Sequence, residues 1–161
     1  MNRKKILTIA QIAILAGILI FVILIMRQGI SREVPMDQIA QAMEKQPGVD
    51  ELLRKDDLLT YSSFGMVPDS YIYYKSDDIM DVRELLIARD ADGDQMDQLQ
   101  AAASERVAEQ SDNFENYGTN QFDLLQHALT MQRGDYFFYA VGDEAEQWQD
   151  AFLKVLAGRS E

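Results

Sequence analysis

Apolar residues run almost without interruption from Ile6 to Met26, where only Thr8 and Gln11 are polar and no residue is charged. Fourteen of these 21 positions are Ile, Leu, Val or Phe. A helix rises ~1.5 Å per residue, so such a run matches the ~30 Å hydrocarbon core of a bilayer. The pattern predicts a membrane-entering helix over 6–26. Beyond it the apolar positions become periodic, as in a folded domain. Met36, Ile39, Ala40 and Met43 recur at helical spacing, with Pro35 suited to the first turn and Pro47-Gly48 as the stop. Val49 to Lys55 reads as a short second helix with Leu52 and Leu53 turned inward.

Strand patterns follow. Tyr71-Ile72-Tyr73-Tyr74 is rich in β-formers and comes after the turn signal Pro68-Asp69-Ser70. Val82 to Ala88 is a second strand, ending in the turn-rich cluster Arg89 to Gly93. Asp94 is placed to cap a long helix with Asp97 in its first turn. Met96, Leu99, Ala103, Val107, Phe114 and Tyr117 form its apolar stripe. Gln121 to Ala128 makes another helix. Leu129–Gln132 and Tyr136–Val141 flank Arg133-Gly134-Asp135 as a hairpin, the second strand apolar on both faces. Asp143 and Glu146 resemble a capping box for a last helix bearing Trp148, Phe152, Val155 and Leu156, which stops at Gly158. The expected fold is α+β: about four antiparallel strands with helices packed on one face.

Charge sets the orientation. Arg3, Lys4, Lys5 and the α-amino group precede the apolar run, whereas Arg27 and Arg32 follow it, which favours a cytoplasmic N-terminus. Signal-peptide cores usually run ~7–15 residues, shorter than this one, and the chain has no cysteine to lipidate. Residues 1–5 are therefore read as cytoplasmic and 6–26 as an uncleaved signal anchor. Residues 27–35 form a linker reaching at most about 30 Å, and 36–161 a single extracytoplasmic domain. Ala13 and Gly17 form a small-xxx-small pair that suits helix self-association. The sequence leaves the oligomeric state open.

Every one of the 27 acidic residues lies at or beyond Glu33, against twelve of the 15 basic ones that follow the apolar run, a formal charge of −15. That balance argues against nucleic acid and anionic headgroups as partners, since both require a basic surface. An envelope protein or a glycan is left as the expected partner, beside the bilayer itself. The bland reading of the charge is a well-solvated surface.

The order of motifs is familiar. Val82-Arg83-Glu84-Leu85-Leu86-Ile87 leads into a helix bearing Arg106. Phe114-x-x-Tyr117, a short helix and Gly134-x-Tyr136 in a hairpin follow. This resembles an uncharacterised family of small extracytoplasmic domains of Gram-positive, largely clostridial bacteria, known only as a domain of unknown function. The resemblance covers about Met36 to Leu156 and implies a location and a fold, without an activity. Many members look like lipoproteins, whereas this chain carries an apolar helix instead. Glu84 and Arg106 are the polar residues shared with the family pattern. They are expected to pair between strand and helix, or else to line a ligand groove.

Candidate chemistry is sparse. Asp90, Asp92 and Asp94 copy the first three ligand positions of an EF-hand. Gln95 then occupies the required glycine position and Ala101 that of the bidentate glutamate, so a capping turn is the preferred reading over a metal site. His127 is the only histidine and sits at a helix end, where it suits the dipole. There is no cysteine nucleophile and no G-x-S-x-G elbow. Acidic residues are too numerous for sequence to single out a catalytic pair. Tyr71 and Tyr73 project from one strand face, where they either offer a partner surface for a glycan or protein or simply belong to an amphipathic strand. Arg133-Gly134-Asp135 spells an adhesion tripeptide but is ordinary turn chemistry. The expected function is a membrane-anchored binding module without catalysis or cofactor. The alternatives are an envelope hydrolase using two carboxylates and a calcium-responsive structural domain.

Overall fold

A computed structural model describes residues 33–55, 64, 68–90, 95–116 and 118–159. The apolar run 6–26 lies outside the described residues. Among those described, no helix is long and apolar enough to cross a membrane. The elements, in chain order, are α1 (Met36–Met43), a 3-10 turn (Val49–Glu51), β1 (Leu53–Arg54), β2 (Ser70–Lys75) and β3 (Glu84–Arg89). Then come α2 (Met96–Phe114), α3 (Thr119–Gln126), β4 (Leu129–Arg133), β5 (Tyr136–Val141) and α4 (Ala145–Leu156).

All strands pair antiparallel, in the order β1-β2-β3-β5-β4. One register runs across the sheet: Ile72 lies opposite Ile87 and Ile87 opposite Phe138, while Tyr73 meets Leu86 and Leu86 meets Tyr139. Successive side chains point to opposite faces, so these rows build two separate cores. One holds Ile72, Tyr74, Leu85, Ile87, Phe138 and Ala140 against Ile39 and Met43 of α1 and Trp148 and Phe152 of α4. The other holds Tyr73, Leu86, Ala88, Phe137, Tyr139 and Val141 against Met96, Leu99 and Ala103 of α2 and Leu125 of α3.

The fold class is α+β as expected, with two corrections. Among the described residues the sheet has five strands rather than four, and helices cover both faces rather than one. The physical reason is in β3 and β5, where Leu85 to Ala88 and Tyr136 to Val141 are apolar at successive positions, all buried. Strands with two apolar faces need two covers. The fifth strand replaces the expected second helix. Gly48 adopts φ 80°, a single 3-10 turn follows, and the chain extends at Leu52 to pair with the β2 edge. Leu52 is buried, whereas Leu53 points outward at 47% exposure. The capping box expected from Asp143 and Glu146 is also absent: α4 starts after Glu144 without a side-chain cap.

Glu33 and Val34, read as linker, are fixed to the sheet. The Val34 amide donates to the Tyr136 hydroxyl (2.9 Å), and that hydroxyl donates back to the Val34 carbonyl (2.8 Å). Arg89 donates to Glu33 (2.7 Å) and lies over the Tyr136 ring. On the same side of the sheet, the Trp148 indole donates to the Pro47 carbonyl (2.8 Å) beneath Gly48, where a Cβ would meet the indole ring. Trp148 is fully buried between α1, α4 and the sheet. Its replacement by Ala is expected to cost about 3–5 kcal/mol, read from the denaturant midpoint at unchanged slope.

Candidate functional site

Glu84 opens β3 with its side chain on the α2 side of the sheet, and it is 0% exposed. A carboxylate taken out of water demands strong partners. Arg106 supplies the first. It continues the inward stripe of Leu99 and Ala103 along α2, at i+7 and i+3 from them. Its guanidinium forms a fork, Nε donating to Glu84 Oε1 (2.7 Å) and Nη2 to Oε2 (2.8 Å). Two phenols complete the set. Tyr139 of β5 donates to Oε1 and Tyr73 of β2 to Oε2, both at 2.6 Å. Both tyrosines oppose Leu86 in the register, so they sit diagonally on either side of Glu84 and on its face.

Phe64 closes the cluster. Its ring lies 5.5 Å from the Arg106 guanidinium carbon and meets Tyr73 and Tyr139 edge-on, at centroid distances of 6.1 and 5.6 Å. Burial raises both tyrosine pKa values above the ordinary range, and the neighbouring Glu84 charge raises them further. Burial opposes the Arg106 charge, but the hydrogen bonds and charge of Glu84 outweigh it, so its pKa also moves up. Glu84 therefore accepts four charge-assisted bonds, and the cluster is electrically neutral. Such a carboxylate is spoken for. It braces helix to sheet.

An open, polar cleft of about 530 Å³ lies at the same end of the sheet. Asp78, Asp81, Asp123 and Asp143 line it, together with Arg83, Met80 and Leu124. Arg83 bonds Asp81 and Glu51, so its charge is already matched. Burial alone would raise the Asp81 carboxyl, but the hydrogen bonds from Arg83 hold it below the usual carboxylate range. Gln121 of α3 accepts from the Val82 amide (2.8 Å) and ties the loop between β2 and β3 to the helix. At that loop's tip Ile79 is 91% and Met80 49% exposed.

The sequence-read residues are distributed unevenly over these features. Glu84 and Arg106 pair directly. Tyr71 and Tyr73 do share a face, but Tyr73 is buried in the cluster and Tyr71 packs against the same core. A partner surface built on Tyr73 is thus ruled out, because α2 covers that face. Asp90 is buried and accepts from the Gln95 amide (2.9 Å), just ahead of α2. Asp92 and Asp94 lie outside the described residues. Among the described residues, no group of three acids or histidines could hold a metal ion. His127 ends α3 with Nδ1 2.8 Å from the Asp123 carbonyl. Gly134, at φ 58°, begins the two-residue turn that the tripeptide forms.

Residues 67–142 match the family DUF4358. The family is described only as a domain of unknown function, and the matched span is shorter than the stretch from Met36 to Leu156 suggested by the motifs. The DUF4358 segment contains Tyr73, Glu84, Arg106 and Tyr139, and all the named cleft residues except Asp143. Phe64, α1 and α4 fall outside it. No curated protein and no solved structure matches the chain. Sequence reading missed Tyr139 and Phe64 as members of the cluster. Alternation along β5 marks Tyr139 once Glu84 is placed, whereas nothing local marks Phe64.

The cluster makes two measurable predictions. Glu84→Ala and Arg106→Ala each strand a buried charge and should cost about 3–5 kcal/mol. The double variant should cost less than the sum by about 1–3 kcal/mol, and additive losses in denaturation would refute the pairing. Alkaline pH should also unfold the domain. The folded-state phenol pKa values of Tyr73 and Tyr139 exceed the unfolded value of 10.0, so the stability they supply is complete below pH 10 and lost as pH rises above it. Phenolate absorbance should show both tyrosines ionising only with unfolding, and Tyr73→Phe should remove one such group.

Proposed function

We propose that the domain is a non-catalytic binding module of the cell envelope, displayed outside the cell by the 6–26 anchor. Its partner-facing surface is the open cleft. One observation carries this reading: the single buried carboxylate of the cluster is consumed by four donors, while Asp78, Asp123 and Asp143 line the cleft exposed and only Asp81 is held by Arg83. Asp123 and Asp143 are exposed, and Ile79 and Met80 stand beside them. A partner segment with basic residues next to an apolar one fits this combination. Exposed charge steers its encounter, and the apolar pair supplies contact area.

The chain's lack of cysteine gives a direct test. Full-length protein carrying Ile79→Cys is treated on intact cells with a membrane-impermeant thiol cross-linker. Capture of an envelope protein is expected before lysis. Adding Asp123→Lys and Asp143→Lys should lower that capture about ten-fold or more, because like charges then face the partner. Thiol reactivity only after lysis would overturn the location. Undiminished capture by the charge-reversed protein would overturn the cleft.

A further inference from the structure

The sheet ends unequally. At one edge β1 is two residues long, whereas β4 at the other edge offers five. Among the described residues no strand lies beyond β4. Which of its backbone groups face outward follows from one bond. The Asp90 amide donates to the Asp135 carbonyl (3.0 Å), in register with the β3–β5 ladder. Antiparallel ladders alternate hydrogen-bonded and non-bonded pairs, so Phe137, Tyr139 and Val141 direct their backbone groups to β3. Tyr136, Phe138 and Ala140 must then turn theirs to β4, where they oppose Arg133, Met131 and Leu129. The N–H and C=O groups of Thr130 and Gln132 are left pointing away from the sheet.

We infer that β4 is a homodimer edge, which pairs antiparallel with β4 of a second copy about a two-fold axis at Met131. The strand is self-complementary in that register. Thr130 faces Gln132 of the partner copy, and Gln132 faces its Thr130, so the two outward residues of each chain make four backbone hydrogen bonds. Met131 meets Met131 as a non-bonded pair on the axis, on the α1/α4 side, where it is only partly buried against the core. Charge favours this edge for a second copy. The chain beyond the apolar run carries −15, yet Ala128 to Arg133 contains no acid and ends in an exposed Arg133. Two acidic domains can approach here without facing like charges. The β1 edge has no such property, since Asp77 and Glu51 flank it through Lys55 and Arg83. Four backbone bonds make a small contact, and attachment of both copies to one surface would raise their effective concentration. This assembly stands apart from the cleft and does not depend on what binds there.

Cysteine cross-linking of the full-length chain in its membrane tests the register. Met131→Cys places two thiols on the axis, where non-bonded pairs hold Cβ atoms about 4.5–5.5 Å apart. Arg133→Cys, on the same strand and more exposed, places them four residues apart, roughly 13 Å. Mild oxidation should give a disulfide-linked dimer from Met131→Cys in about ten-fold excess over Arg133→Cys. Equal yields, or no dimer from Met131→Cys at unchanged melting temperature, would overturn the proposal. Thr130→Pro removes an N–H that the β4–β5 ladder does not use, so it should abolish the Met131→Cys dimer. If Thr130→Pro melts normally and the dimer persists, the edge is not the contact.

Discussion

A negative charge with no access to water organises half of this molecule. Glu84 has to be met by donors, and Arg106 has to be met by Glu84 while Leu99 and Ala103 of the same helix meet the sheet. Those requirements fix both the rotation of α2 about its axis and its position along the strands. An apolar pair of equal volume can match a buried ion pair in stability. It cannot specify one register, because oily surfaces slide. The phenols of Tyr73 and Tyr139 tighten the specification, since each belongs to a different strand neighbouring β3. Three strands and one helix are thereby tied to a single carboxylate.

The opposite face of the sheet is built by a different rule. Its core is apolar and interlocked, and the polar handles of Trp148 and Tyr74 reach its rim, at the Pro47 carbonyl and the Glu44 carboxylate. Phe152 stacks on Phe138 at a centroid distance of 5.4 Å and meets Tyr136 edge-on. Position on this side is set by shape rather than by charge. The two covers therefore suit different tasks. One has a dry interior, whereas the other brings fixed polar groups to the sheet end where the cleft opens.

Much of the architecture was legible in the residues because it follows local periodicity. The strands over Ser70–Lys75, Glu84–Arg89 and Tyr136–Val141, the two-residue turn and helices α1 to α4 all announce themselves by spacing and turn chemistry. β1 does not, for its two residues have no period of their own and are strand only because the β2 edge is there to pair with. The number of covered faces was written in Leu85-Leu86-Ile87-Ala88, but a helix count alone does not say where helices go. Tyr73 shows the same gap from the other side. Period two assigns a side chain to a face, and only the tertiary fold decides whether that face is wet. Glu84 and Arg106 could be named in advance from the family pattern. The fourfold satisfaction of Glu84 could not, because it depends on register across three strands.

The Tyr136 hydroxyl holds the Val34 peptide by both its N–H and its C=O, and Arg89 secures the preceding residue. Mechanical tension applied at Glu33 would reach β5, a strand buried between two neighbours, before it could peel α1 away. The first bonds to yield would then be a phenol's grip on one amide unit rather than the ladder itself. A peptide fastened in this way works as a strain relief, so that a tug at Glu33 leaves the folded body its shape.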